Sequence, residues 1–234
     1  MTTIKPALEI AVRKRIAERT EELFRRSGAL RDGHFQLKSG RHGDAYVEKF
    51  AVLSDPAATS ELCSFWAAAW KDAPDDGGAA RVDLIAGPTT GGVILAFETG
   101  RQLGVRAIFA EEVAGDADAG PRREFRRGFR IEPAELVLLV DDILTTGGSL
   151  LAMIPAVEAA GGEIVECAVL VDRSGGRATL TSPTTGRVYP LRSLWQLDLP
   201  TYEPGPASCP GCAEGLQLHT PGSSGTGTTT AQSS

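Results

Sequence analysis

A chain of 234 residues, 42% hydrophobic and 23% charged, has the length to bury a full core and the balance of a globular protein. Its formal net charge of −6 excludes general attraction to nucleic acid or to an anionic membrane, so an anionic substrate would need a local positive site. No apolar run is long enough to span a bilayer, and the charged, amphipathic N-terminus lacks the apolar core of a signal peptide. Cysteines stand at 63, 167, 209 and 212, too scattered for a disulfide framework, so a reducing cytoplasm is the expected setting.

Residues 7–27 place Leu8, Val12, Ile16, Leu23 and Phe24 near helical spacing, and Gly28 with Arg31-Asp32-Gly33 ends that helix. HFQLKSGRHGDAYVEKF alternates as a short hairpin around Ser39-Gly40. A second helix over 56–71 opens after Asp55-Pro56, and PDDGGAA (74–80) reads as a surface linker. From Arg81 the pattern changes. VDLIAG (82–87), AIFA (107–110), LVLLV (136–140) and CAVLV (167–171) are short runs rich in Val, Ile and Leu, separated by helical stretches at 91–103 and 148–160. Apolar strands alternating with helices predict a mostly parallel sheet flanked by helices, an α/β fold. The ending GSSGTGTTTAQSS has no apolar anchor, so residues 222–234 are expected to be a disordered tail.

The chemistry concentrates after LVLLV. Asp141 and Asp142 are followed by Ile143 and Leu144, then by Thr145, Thr146, Gly147, Gly148 and Ser149, where a helix begins. Parallel α/β sheets place ligands at the carboxyl ends of their strands. The glycines let backbone N–H groups approach an anion, the hydroxyls add donors, and the helix contributes its positive N-terminus. Such a loop suits a monophosphate, and acids one step before it can reach the hydroxyls of a ribose. A Walker loop is excluded because no Gly-Lys-Ser/Thr follows at the required spacing.

The run VLLVDDILTTGGS resembles the motif by which type I phosphoribosyltransferases bind phosphoribosyl diphosphate (PRPP). In that family the two acids hold the ribose hydroxyls and the TTGGS-like loop holds the 5-phosphate. Three further segments are similar to orotate phosphoribosyltransferases: GHFQLKSGRHGDAYVEK (33–49), IAGPTTGGVILAFETGRQLG (85–104) and CAVLVDRSGG (167–176). The ending LPTYEPGPASCPGCAEGLQLHTPGS resembles the longer bacterial and archaeal members.

The resemblance implies a type I phosphoribosyltransferase fold with a small hood built from N- and C-terminal segments. It also implies transfer of a phosphoribosyl group from PRPP to orotate in pyrimidine (UMP) synthesis, Mg²⁺ as cofactor and a homodimer. Its organisation would be N-terminal helices and hood segment over 1–75, the core over 76–200, a C-terminal hood over 201–221, then the tail. PRPP would meet 141–149 together with Lys38, Thr89 and Thr90. Orotate would meet Thr145, Tyr46 and Arg173, whose planar fork matches a carboxylate. A purine phosphoribosyltransferase, or a PRPP-binding regulator without catalysis, are the other readings; the KSGR and DRSGG segments and the negative charge speak against them.

One stretch departs from the family pattern. Residues 110–131, AEEVAGDADAGPRREFRRGFRI, take the place of a mobile loop that carries lysines and a histidine in many members, and contain neither. Arg122 aligns with a family lysine and is the expected stand-in for charge stabilisation, while Gly91 stands where short members have a diphosphate-binding lysine. Cys209 and Cys212 form a Cys-x-x-Cys pair for which His219 offers a third metal ligand and nothing nearby a fourth, so the pair is expected to be packing. His34 and His42 are too isolated in the sequence to suggest a cluster.

Overall fold

The computed structural model describes residues 6–37, 39–71, 82–113 and 122–221. Lys38, the linker at 74–80 and the tail at 222–234 lie outside them. In chain order, helix α1 (Pro6–Arg26) is followed by strands β1 (Leu30–Gln36) and β2 (His42–Val47), then by helices α2 (Lys49–Leu53) and α3 (Pro56–Lys71). The alternating part comprises β3 (Leu84–Pro88), α4 (Gly91–Leu103), β4 (Arg106–Val113), β5 (Arg122–Phe125), β6 (Leu136–Leu144), α5 (Gly148–Ala159) and β7 (Glu163–Asp172). Then come β8 (Thr179–Thr181), β9 (Val188–Gln196), β10 (Thr201–Tyr202), α6 (Pro210–Ala213) and β11 (Leu218–His219).

Two units divide the chain, one of residues 1–29 with 48–198, the other of 30–47 with 199–234. The first carries a seven-stranded sheet in the order β5-β4-β3-β6-β7-β9-β8. Its strands β4, β3, β6, β7 and β9 pair in parallel, and only the edge strands β5 and β8 are antiparallel. Val137 to Val140 of β6 are wholly buried because helices cover both faces of a parallel sheet. Leu84, Leu139, Met153, Ile154, Val157 and Val169 form the centre of one core. Asp55 starts α3 as predicted: its Oδ1 accepts the N–H groups of Ala57 (3.0 Å) and Ala58 (3.1 Å).

The second unit holds a four-stranded sheet in the order β10-β2-β1-β11. β1 and β2 form the expected antiparallel hairpin, and β11 runs parallel to β1. Its buried apolar side chains are few, chiefly Leu30, Phe35, Ala45 and Val47.

Candidate active site

In the first unit the sheet order reverses between β3 and β6: β4 lies to one side of β3, while β7 and β9 follow β6 on the other. At such a switch point the loops leaving two neighbouring strands part and open a crevice at their carboxyl ends. A cavity of about 240 Å³ lies here, lined by Asp141, Ile143 to Leu150, Ala152, Glu112 and Arg123. The predicted phosphate loop is therefore the wall of a real cavity. Gly147, at φ 84°, takes the left-handed conformation that caps α5, and the N–H of Gly148 donates to Thr146 Oγ1 (3.3 Å). The α5 N-terminus supplies the dipole and unpaired N–H groups suited to an anion.

The two acids have different surroundings. Asp141 faces the cavity and is buried, its Oδ1 accepting the N–H of Asp142 at 2.8 Å. Burial, and next the neighbouring Asp142, push its carboxyl up to about 7, against the pull of that hydrogen bond, Lys49 and Arg123. Asp142 does not line the cavity. Its oxygens lie 3.0 and 2.8 Å from Lys49 Nζ, and its Oδ1 accepts the N–H of Ile143 at 2.7 Å. A Cβ on Gly91, the first residue of α4, would come 1.9 Å from Asp142 Oδ2. Gly91, where the resemblance would place a diphosphate-binding lysine, thus sits where the acid backs onto the helix, and Lys49 supplies the cation that pairs with Asp142.

Arg122, the expected stand-in, is exposed and pairs with Glu124 at 2.6 Å. Arg123 is the buried one. Neighbouring strand residues face opposite sides, so β5 turns Arg122 and Glu124 outward and Arg123 inward, opposite Glu112 of β4. Arg123 donates to Thr89 O (3.3 Å) and Oγ1 (3.2 Å) and reaches Glu112 Oε2 at 3.4 Å, which joins the β3 end to the cavity. Thr90 stands exposed at the start of α4. Residues 110–113 and 122–125, within the stretch expected to be a mobile loop, form an antiparallel ribbon; residues 114–121 lie outside the described residues.

Arg173 follows β7, and its N–H donates to Leu144 O at 2.7 Å, at the edge of the phosphate loop. Its side chain is half-buried; its Nε is buried without a hydrogen-bond partner, and burial lowers its pKa despite the nearby Asp198. A desolvated fork of this kind calls for an anion. Arg177, not among the predicted site residues, donates to Thr146 O at 3.0 Å and adds a second cation beside the loop. Tyr46 belongs to the second unit, where its ring packs on Phe35 at 5.6 Å.

One expectation is corrected in that unit. His34 and His42 are not isolated: with Cys209 and Cys212 they place four potential ligand atoms within 4.8 Å of one another. The β1–β2 pairing closes the sequence gap between the histidines, and α6 delivers both cysteines. His219 is not among them; it is exposed on β11, with its ring 5.9 Å from that of Phe35.

A family model described as a phosphoribosyl transferase domain matches residues 67–184. An orotate phosphoribosyltransferase of Caldicellulosiruptor bescii is 40% identical over 202 residues, 86% of this chain and 95% of that protein. One from Chlorobium phaeobacteroides strain BS1 is 39% identical over 202 residues, 86% of this chain and 93% of its own. Among solved structures, orotate phosphoribosyltransferase from Aeropyrum pernix superposes with a TM-score of 0.56 at 23% identity, covering 75% of this chain and 92% of that one, and speaks for the fold.

Proposed function

This chain belongs to the orotate phosphoribosyltransferase family, and from that premise we propose that it transfers the 5-phosphoribosyl group of PRPP to orotate, giving orotidine 5′-monophosphate and diphosphate in UMP synthesis. The observation that carries the proposal is the convergence of the 145–149 loop, the α5 N-terminus, Asp141 and Arg123 on one cavity, with the half-buried Arg173 leaving the neighbouring strand beside it.

In this reading the loop N–H groups and the hydroxyls of Thr145, Thr146 and Ser149 hold the 5-phosphate. Asp141 accepts a hydrogen bond from a ribose hydroxyl. Asp142 acts through Lys49 and the α4 turn to fix the strand end, rather than by touching the sugar. Arg123 meets the diphosphate from the side where it already holds Thr89, with Thr90 beside it. Arg173 clamps the orotate carboxylate, which gives its buried Nε a partner, and Thr145 borders the pyrimidine. As the bond to diphosphate lengthens, the ribose carbon turns oxocarbenium-like, and these fixed charges stabilise the separation at no cost in reorganisation.

The cavity's donors, the carboxylates of Asp141 and Glu112 with threonine hydroxyls, are hard oxygens that fit hydrated Mg²⁺. When bound, that ion neutralises charge gathering on the departing diphosphate. The proposal includes a homodimer, supported by the exposure of Phe50, Ile94 and Phe97, and a cytoplasmic setting, supported by four unpaired cysteines.

The test is the near-ultraviolet absorbance of orotate, which should fall when PRPP and Mg²⁺ are added. Arg123→Ala should lower kcat/KM by about 100-fold, whereas Arg122→Ala should change it by less than about threefold. Unchanged absorbance with orotate, together with turnover of a purine base, would overturn the reading.

A further inference from the structure

Outside the cavity, the second unit gathers four side chains whose shared chemistry is metal ligation. His34 stands on β1 and His42 on β2, in strands that pair with Gln36 opposite His42 and Phe35 opposite Gly43. Cys209 caps α6 and Cys212 lies within it, in a turn where the N–H of Ala213 donates to Cys209 O at 3.0 Å. His34 Nε2 lies 2.8 Å from His42 Nδ1, 3.4 Å from Cys209 Sγ and 3.6 Å from Cys212 Sγ. Cys212 Sγ lies 3.2 Å from His42 Nδ1.

Those spacings are close to the edges of a tetrahedron around zinc. Bonds of about 2.3 Å to sulfur and about 2.0–2.1 Å to nitrogen require sulfur–nitrogen edges of about 3.6 Å and a nitrogen–nitrogen edge of about 3.3 Å. Three of the four sulfur–nitrogen distances run from 3.2 to 3.6 Å and all four ligand atoms lie within 4.8 Å of one another, so an ion would fit with the side chains shifting by a few tenths of an ångström to about an ångström.

The surroundings agree with ligation. His34 Nδ1 lies 3.0 Å from Leu216 O, and since a carbonyl only accepts, the hydrogen of the neutral ring sits on Nδ1 and the Nε2 lone pair points at the cluster. His34, His42 and Cys209 are buried. Gly211, between the cysteines, is needed for the approach, because a Cβ there would lie 2.6 Å from His34 Cγ. The other two cysteines behave differently: Cys63 and Cys167 sit in the first unit's core, where burial pushes both thiols up to about 12 and keeps them inert.

We propose that His34, His42, Cys209 and Cys212 bind one Zn²⁺ per chain as a structural site that fastens the 30–47 hairpin to the 199–221 segment. Two thiolates and two neutral imidazoles leave no net charge once the ion is bound, and the soft sulfur donors select zinc over Mg²⁺, the ion proposed for the cavity. Four protein ligands close the coordination shell, which fits a structural ion and not a catalytic one. The need for a staple is plain from the unit's thin core and its two-residue strands β10 and β11.

The proposal is independent of the transferase reading and is tested by metal content. Untagged full-length chain, purified under reducing conditions after growth with added zinc, should hold about one zinc per chain by inductively coupled plasma mass spectrometry. Cys209→Ser/Cys212→Ser should lose it, while His219→Gln should keep it. Exchange of zinc for Co²⁺ in the wild-type chain should give the intense visible bands of a tetrahedral thiolate site, a readout that does not depend on the variants folding. Chelation should speed proteolytic cleavage within 199–221 by at least about tenfold. A wild-type chain with less than about 0.1 zinc that also gives no cobalt bands would overturn the proposal, as would a double variant as metal-rich as wild type or a Cys209–Cys212 disulfide in place of the ion.

Discussion

At the scale of single residues, Asp141 links the site to pH. Its carboxyl titrates near 7 because burial and Asp142 disfavour its charge, so at pH 6 the ligand-free protein holds a proton there that the unfolded chain has lost. Between the ordinary aspartate value of 3.8 and about 7 the native state binds more protons than the unfolded state, and stability therefore falls as pH rises through that window. Asp141→Asn removes this slope and should raise the melting temperature at pH 8 by a few degrees, about 1 kcal/mol or more. A ribose hydroxyl donating to Asp141 favours the ionised form, so PRPP binding near pH 6.5 should release a proton. Calorimetry in buffers of different ionisation enthalpy reads that release, and an equal signal from wild type and Asp141→Asn would refute the role. The residue scale is also where the sequence was hardest to read. Arg122 and Arg123 are chemically identical neighbours, and only the pleat of β5 decides which one enters the cavity. Lys49 was invisible for a different reason: its partner Asp142 lies 93 positions away.

At the scale of elements, α5 and the β8–β9 ribbon are tied through one carboxylate. Glu158 of α5 accepts from Ser182 Oγ (2.9 Å), Thr184 Oγ1 (2.9 Å), Thr185 Oγ1 (2.6 Å) and Tyr189 OH (2.7 Å). Burial alone would raise its pKa, but those four hydroxyls outweigh burial and hold it below the usual value. A depressed carboxyl stabilises the fold above the unfolded value of 4.5, and that contribution is lost as pH falls through the folded value. Glu158→Gln should therefore cost about 1–2 kcal/mol at pH 7 and less at pH 3, below the unfolded value, as read by urea unfolding at the two pH values. An equal cost at both would show that shape, not charge, holds the ribbon. The elements themselves were legible where the pattern is local. LVLLVDDILTTGGS contains its strand, turn and helix start in fourteen consecutive residues, and the fold follows it closely from β6 to α5. β9 is not among the predicted strands: VYPLRSLWQ alternates exposed and buried positions over its first half, but it carries Pro190, a residue disfavoured within strands. Pro190 is tolerated where β9 pairs antiparallel with the edge strand β8, opposite Thr179.

At the scale of the whole molecule, the exposed aromatic positions bear on assembly. Phe97 and Ile94 are 66% and 38% exposed and lie three residues apart on one face of α4, and Phe50 of α2 is 44% exposed. Phe97→Glu should shift the chain from dimer to monomer in sedimentation velocity at micromolar concentration; a wild-type chain sedimenting as a monomer there would remove the dimer from the proposal. The division into two units has a consequence in time. The second unit is made of segments separated by the whole of 48–198, so its hairpin emerges from the ribosome early and its remaining strands last. Between His42 and Cys209 lie 209 − 42 = 167 positions of synthesis, roughly 8–30 s at the usual elongation rates of about 5–20 residues per second. By the end of that interval the whole of the first unit has been synthesised, while two histidines have waited for their cysteines. Closure of the second unit therefore waits until the first unit's chain has been made, and under the zinc proposal a shortage of metal would leave the second unit unfastened after the transferase core has formed.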